Sequence, residues 1–334
     1  MTHAGRPTRV VVISGGRGAE HEVSLRSGRA IAAALRERAC DVVTCVVSPD
    51  GAWTTGDDGG IGPALRVLEA ADVAFPALHG PWGEDGGVQG FLETVGVPYT
   101  GSGVLASATC MDKERTKRVL AAAGSAGAPG RVVRAPLTAE TVAQVVAELG
   151  LPVFVKPLRG GSSYGVTRVA TVGTLGPAVD LAAAFDDAVL VEQELRGPEI
   201  DVGVLERPDG TLVASPALAI EADPSEPFFT TRAKYASDRT RFVIPAPLDP
   251  VMAATLAHLA RRAFAALGCA GLARVDFIID DVRGPTVNEV NTFPGFTERS
   301  QYPLMWRAAG VEFPDLVRTL VDTALARVPA CRTA

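Results

Sequence analysis

Continuous apolar runs at 10–14, 42–47 and 73–77 predict buried strands, and between the first two a stretch from about residue 24 carries Ile31 and Leu35 on one helical face. Strands separated by helices form a β-α-β pattern, which implies a parallel sheet. Residues 87–95 place Val88, Phe91, Leu92 and Val95 at helical spacing, and Gly96, Pro98 and Gly101 then punctuate the chain. A boundary near Gly103 follows. Helical stretches at 112–123, 138–149 and 175–185 alternate with strands at 153–156, 166–169 and 189–194, up to a second boundary near Gly197. Beyond it come strands at about 202–205 and 217–220, a polar segment at 221–241 with little periodicity, a helix at 250–267 and a final helix from about Pro314. A long aperiodic segment inside a compact domain is usually a functional lid. The fold class is therefore α/β, with units expected at 1–103, 104–196 and 197–334.

The stretch before the final helix carries the first chemistry. Residues 271–279 end in a β-branched and aromatic run, and 287–291 alternates apolar with polar residues, so the two read as strands of one hairpin. Glu289 and Asn291 share a face, and Asp276 can meet them from the neighbouring strand. Two carboxylates and an amide suit a hard cation such as Mg2+, which keeps waters and accepts phosphate oxygens. A solvated polar face on an antiparallel sheet is the alternative.

Composition narrows the classes. A chain of 334 residues with 47% hydrophobic positions can bury sizeable cores, and a net charge of -6 with scattered arginines gives no stripe for nucleic acid. The apolar run at 10–13 is too short for a signal sequence and no stretch of about 18 apolar residues exists, so a cytoplasmic protein with no membrane partner is expected. Five cysteines without a CxxC spacing argue against a disulfide framework or a zinc site, and read as small buried hydrophobes. Only four of the 32 basic residues are lysines: Lys113, Lys117, Lys156 and Lys234. A compact ammonium acts as a point charge against phosphate, which gives these positions a reason. Lys117 is the one assigned to an ordinary helix surface.

Glycines after the first strand lack the third member of a dinucleotide fingerprint, and no Gly-Lys pair exists for a P-loop. By contrast, Lys156 ends a strand and is followed at once by Arg159, Gly160, Gly161, Ser162, Ser163, Tyr164 and Gly165. Such a loop can turn amides and hydroxyls over a polyphosphate while Lys156 meets it from the strand. The same residues match G-x-S-x-G, a hydrolase elbow with Ser163 as nucleophile. That elbow needs a helix directly after it and a downstream histidine. Residues 166–169 read as strand, and the one later histidine, His258, points away from the apolar face of its helix, so the hydrolase reading fails its context. Glu192, Glu194 and Glu199 supply acceptors near the second boundary, where an adenine and a ribose could be held.

Three longer motifs carry a resemblance. They are His79-Gly80 with Gly83-Glu84-Asp85-Gly86, Gln89-Gly90 and the run Pro98 through Gly103; Met111-Asp112-Lys113; and Glu289-Val290-Asn291-Thr292 with Pro294-Gly295-Phe296-Thr297. In this order they resemble the D-alanine:D-alanine ligases of the ATP-grasp superfamily. The resemblance implies three α/β domains with ATP between the central and C-terminal ones. It also implies Lys113, Lys156, Ser162, Ser163 and Lys234 at phosphates, and Glu192, Leu195 and Glu199 at adenosine. Two Mg2+, replaceable by Mn2+, would sit on Asp276, Glu289 and Asn291. By the same resemblance Glu20 binds the first ammonium, and Arg274 with the Gly295 amide stabilises the oxyanion. Ser300 and Gln301 meet the second substrate, His79 lies near both, and Ser162, Tyr235 and Glu20 form one hydrogen-bonded set. The implied reaction joins two D-alanines through an acylphosphate for peptidoglycan precursors, in a homodimer. Phe293, Phe296 and the segment from Ser300 to Pro303 resemble the vancomycin-resistance branch, so D-serine and D-lactate are the alternative second substrates.

Overall fold

The computed structural model describes residues 6–56, 58–125, 127–221 and 240–327. Its first sheet is built from β1 (Arg9–Gly15), β2 (Asp41–Val47), β3 (Trp53–Thr55), β4 (Asp58–Gly59) and β5 (Val73–Pro76) in the order β4-β3-β2-β1-β5. The three central strands are parallel, as the alternation of strand and helix requires, and β3 and β4 add an antiparallel edge. Helix α1 (His21–Glu37) starts three residues before the expected point. Gly15, at φ +93°, leaves no space for a Cβ against the Val47 carbonyl. Buried Ser24 then accepts from the Gly15 N–H at 2.8 Å and donates to the Ala77 carbonyl at 2.6 Å. Helices α2 (Ile61–Glu69) and α3 (Gly87–Val95) cover the other face of this sheet.

Helices α4 (Val104–Met111) and α5 (Lys113–Ala122) follow, the second capped by Asp112, which accepts from the Arg115 N–H at 2.9 Å. The second sheet holds β6 (Gly130–Val133), β7 (Val153–Pro157), β8 (Thr167–Val169) and β9 (Val189–Gln193) in the antiparallel order β6-β9-β7-β8. Its core is closed by α6 (Ala139–Leu149) and α7 (Leu175–Ala183). The third sheet runs β13-β12-β10-β14-β15, with β11 paired to β10. Its strands are β10 (Glu199–Glu206), β11 (Leu212–Ala214), β12 (Leu218–Glu221), β13 (Arg241–Val243), β14 (Leu272–Asp280) and β15 (Gly284–Asn291). The expected hairpin is present as β14 and β15, with a bulge between Asp276 and Phe277.

Helix α8 (Pro250–Ala266) packs Leu256, Ala260 and Ala263 on the third sheet together with Cys110 of α4 and Leu120 of α5. His258, on its outer side, is exposed. The last helices are α9 (Gln301–Ala308) and α10 (Phe313–Ala326). They complete a core that joins β1, β5 and α1 to Phe296, Tyr302 and Trp306. Each of these three large side chains is at most 2% exposed, and burial on that scale stabilises by roughly 1.5–3 kcal/mol apiece. The chain thus returns to its beginning after the hairpin, which brings the hairpin's end against the first sheet. Cys40, Cys45 and Cys110 are buried free thiols, as expected, and Cys269 is partly buried; Cys331 lies outside the described residues. Among the described residues no helix is long and apolar enough to cross a membrane.

Candidate active site

The glycine loop after β7 closes toward the first sheet. Ser162 and Ser163 adopt φ +52° and +60°, a left-handed conformation that costs free energy in non-glycine residues and recurs where a loop must aim its groups. Here it brings the Ser162 hydroxyl to Glu20, donating to Oε1 at 2.6 Å. Glu20 stands at the N-terminus of α1 without capping it, and its carboxylate faces the glycine loop through Ser162. It passes so close to Gly80 that a side chain there would collide with it. Two of the three groups expected in one set are therefore together. The third, Tyr235, lies outside the described residues, as do Lys234 and residues 222–239 of the expected lid.

One side of the cleft is basic. Lys113, at the start of α5, donates to the Gly160 carbonyl at 2.7 Å and so holds the glycine loop. Lys156 on β7 is ion-paired with Glu192 on the adjacent β9. Lys117 corrects its assignment to an ordinary helix surface: its Nζ lies 2.7 Å from Glu192 Oε2, donates to the Ala128 carbonyl at 2.9 Å, and the side chain is 16% exposed. A single buried ion pair roughly breaks even, since desolvation costs several kcal/mol per ion. Burial works to raise the Glu192 pKa, but Lys156 and Lys117 outweigh it and hold the carboxyl below its ordinary value. Two lysines pair with one glutamate here, and Lys113 lines the same cleft, an excess of positive charge suited to a polyphosphate. Beside them the apolar side chains of Phe154, Ile220 and Ile278 line the cleft with Leu195 and Glu199, a setting for a flat base and a ribose.

The opposite side is acidic. Asp276 and Glu289 are directly opposed across β14 and β15, and Arg274 is opposed to Asn291. Asn291 Nδ2 donates to Asp276 Oδ2 at 2.9 Å, which leaves the Asn291 carbonyl oxygen as its remaining donor atom for a metal. The three expected residues thus form one face of hard oxygen atoms and fit Mg2+. Among the described residues there is no cluster of three or more His, Cys, Asp or Glu side chains that could hold a metal ion. Arg274 gives Nε and Nη2 to the two oxygens of Asp276, each at 2.6 Å, and Nη1 to Gln301 Oε1 at 3.1 Å. Burial opposes its charge, but Asp276 and Asp201 hold its pKa well above the ordinary arginine value.

The first sheet supplies the floor. His79 is buried, with Nε2 3.0 Å from the Ser27 hydroxyl and Nδ1 3.2 Å from the Phe293 carbonyl. Both ring nitrogens therefore face protein partners. Burial lowers its pKa, so the neutral ring donates to Phe293 and accepts from Ser27. Glu84 accepts from the Gly80 N–H at 2.7 Å and the Phe293 N–H at 3.1 Å. Past Phe293, Gly295 sits against Ser300, whose hydroxyl accepts from the Thr297 N–H at 3.0 Å. Ser300 is the N-cap residue of α9, but its side chain does not cap the helix.

Three residues that matter here escaped the sequence reading: Lys117, Asp201 and Glu84. For Lys117 the scarcity of lysine was the signal, and an aspartate inside the apolar stretch of β10 was the signal for Asp201. Glu84 belonged to a quoted motif, but only the fold shows its amide partners.

A family profile described as "D-ala D-ala ligase C-terminus" matches residues 131–322, and one described as "D-ala D-ala ligase N-terminus" matches 9–62 and 60–102. The chain is similar to the D-alanine--D-alanine ligase of Mycobacterium tuberculosis (strain CDC 1551 / Oshkosh), 43% identical over 362 residues and covering 96% of each chain. It is 44% identical over 359 residues to the Corynebacterium aurimucosum protein of the same name, covering 98% of this chain and 100% of that one. Among solved structures, the VanG D-Ala:D-Ser ligase from Enterococcus faecalis superposes with a TM-score of 0.84 at 29% identity, over 96% of this chain and 100% of that one. The D-alanine-D-alanine ligase from Coxiella burnetii gives 0.82 at 29%, over 96% and 95%. With motifs, sheets and cleft in agreement, the chain belongs to the D-alanine–D-alanine ligase family, with the ATP-grasp architecture of that family.

Proposed function

We propose that the protein joins two D-alanines into D-alanyl-D-alanine, with cleavage of ATP to ADP and phosphate. The observation that carries this reading is the convergence, in one cleft, of Lys113, Lys156 and Ser162 from one side with Arg274, Asp276 and Glu289 from the other. Such an arrangement holds anions together and has no need of a protein nucleophile. A carboxylate oxygen of the first D-alanine attacks the γ-phosphorus and ADP leaves; the amine of the second then attacks the acyl carbon, loses a proton and expels phosphate. Glu20, oriented by Ser162, binds the first ammonium. Lys113, Lys156 and the loop with Ser163 bind the phosphates, while Glu192, Leu195 and Glu199 hold adenosine. Divalent cations on Asp276, Glu289 and Asn291 would neutralise charge at the transferred phosphoryl group. Arg274 and the Gly295 amide stabilise the oxyanion of the acyl transfer. The second carboxylate meets Ser300 and the N-terminus of α9, and His79 acts through Phe293. Units at 1–103, 104–196 and 197–334 and a cytoplasmic place rest on the sequence, while two Mg2+ with Mn2+ as substitute, roles for Lys234 and Tyr235, a homodimer and a part in peptidoglycan precursor synthesis rest on the family; together they complete the reading.

A second reading, D-serine as second substrate, draws on the likeness to VanG. Against it stands Gln301, expected to meet the second substrate and able to pair with a serine hydroxyl only if free: its oxygen accepts from Arg274 and its nitrogen donates to Asp201. Competition of equal D-alanine, D-serine and D-lactate with ATP and Mg2+, read by mass spectrometry, tests the choice. D-alanyl-D-alanine as the main product is expected; a majority of D-alanyl-D-serine or depsipeptide overturns it.

A further inference from the structure

Asp201 is 1% exposed in the middle of β10, and no step of the ligation above uses it. Its Oδ2 accepts from Gln301 Nε2 at 2.8 Å and lies 3.3 Å from Arg274 Nε. Since Gln301 Oε1 in turn accepts from Arg274 Nη1 at 3.1 Å, the three side chains close a ring. That ring ties β10 and β14 to the first residue of α9. A buried polar group is costly to leave without its partner, so removing Asp201 strands the Gln301 amide nitrogen and loosens the start of α9 against Arg274.

The ring has a particular use beside a metal-binding carboxylate. Arg274 donates both Nε and Nη2 to Asp276, and Asp276 cannot give the same lone pairs to an arginine and to divalent cations. Asp201 is a second acceptor for Arg274 Nε, on the neighbouring strand and directly opposite Asp276. It can keep the guanidinium in place when Asp276 turns to other partners. Through Gln301 it also fixes the N-terminus of α9, where the second substrate's carboxylate belongs.

We propose that Asp201 is a positioning residue for the second subsite, holding Arg274 and the start of α9 at the separation that the incoming D-alanine requires. The proposal rests on the ligation reading. By locking the Gln301 amide it also denies that amide to a serine hydroxyl, so Asp201 favours alanine over serine.

The test compares the full chain with Asp201→Ala and with the isosteric Asp201→Asn, which keeps one acceptor oxygen and guards against a folding failure. Initial rates resolve the KM values of ATP and of the two D-alanines. For Asp201→Ala the second D-alanine KM should rise roughly tenfold or more, as loss of a buried partner implies, with the ATP KM changed by less than about twofold. Asp201→Asn should fall between. The D-alanyl-D-serine fraction in competition should rise in both variants. A second KM within about twofold of the unsubstituted protein, or an ATP KM rising in parallel with it, overturns the proposal. If the unsubstituted protein forms no dipeptide, the ligation reading fails instead. The ring is then judged by crystallography of Asp201→Asn: Arg274 and Gln301 separated supports it, and their hydrogen bond intact overturns it.

Discussion

At the scale of single residues, the cleft is governed by where charge is tolerated. Burial and the neighbouring Glu20 push the Glu84 carboxyl from its ordinary 4.5 up to about 8, against two amide donors that favour the ionised form. The folded state therefore binds this proton more tightly than the unfolded chain does. Stability from Glu84 is complete below the unfolded pKa and is lost as the pH rises through the folded one. The melting temperature should fall more steeply between about pH 5 and 8 in the unsubstituted protein than in Glu84→Gln, where nothing titrates. Equal slopes would contradict the assignment. Lys156, Asp276, Glu289 and Asn291 were legible because each stands at a strand end beside glycines or opposite another polar residue, and Lys113 because lysine is scarce in this chain. Lys117 was not, because nothing in its own helix announces Glu192, 75 positions away in sequence and paired only once β9 is in place.

Among elements, the hairpin of β14 and β15 does the most for function, since its register alone opposes Asp276 to Glu289. Glu289→Gln keeps the shape and removes the charge. It should abolish ATP turnover while leaving the melting temperature within a few degrees, because the lost term belongs to the transferred phosphoryl group rather than to the core. Undiminished Mg2+-dependent phosphate release from that variant would sink the metal assignment. The hairpin was readable from period-two alternation, as were the long amphipathic helices. Helix α9 was not: Pro303 reads as a breaker, yet it falls in the first turn, where a missing N–H costs nothing, and Tyr302, Met305 and Trp306 bury the helix. Strands β3 and β4, of three and two residues, are too short to show any period. Helix α4, mostly small residues, shows no apolar stripe until it meets β15 and α8.

For the whole molecule, the decisive arrangement is the return of the C-terminal helices to the first sheet, which places Phe293 between His79 and Glu84. Local pattern could suggest the units but not this closure, because the apolar faces that meet come from opposite ends of the chain. The closure brings the first sheet against the groups proposed to bind a nucleotide, a first carboxylate and a second amine. If they act in the order proposed, an oxygen of the first D-alanine's carboxylate must leave as part of phosphate. The most direct measurement uses D-alanine labelled with oxygen-18 in its carboxylate, together with ATP and Mg2+, and follows the label by mass spectrometry. One labelled oxygen in each released phosphate, matched by one D-alanyl-D-alanine, is the predicted result; unlabelled phosphate, or phosphate released without dipeptide, would contradict the account.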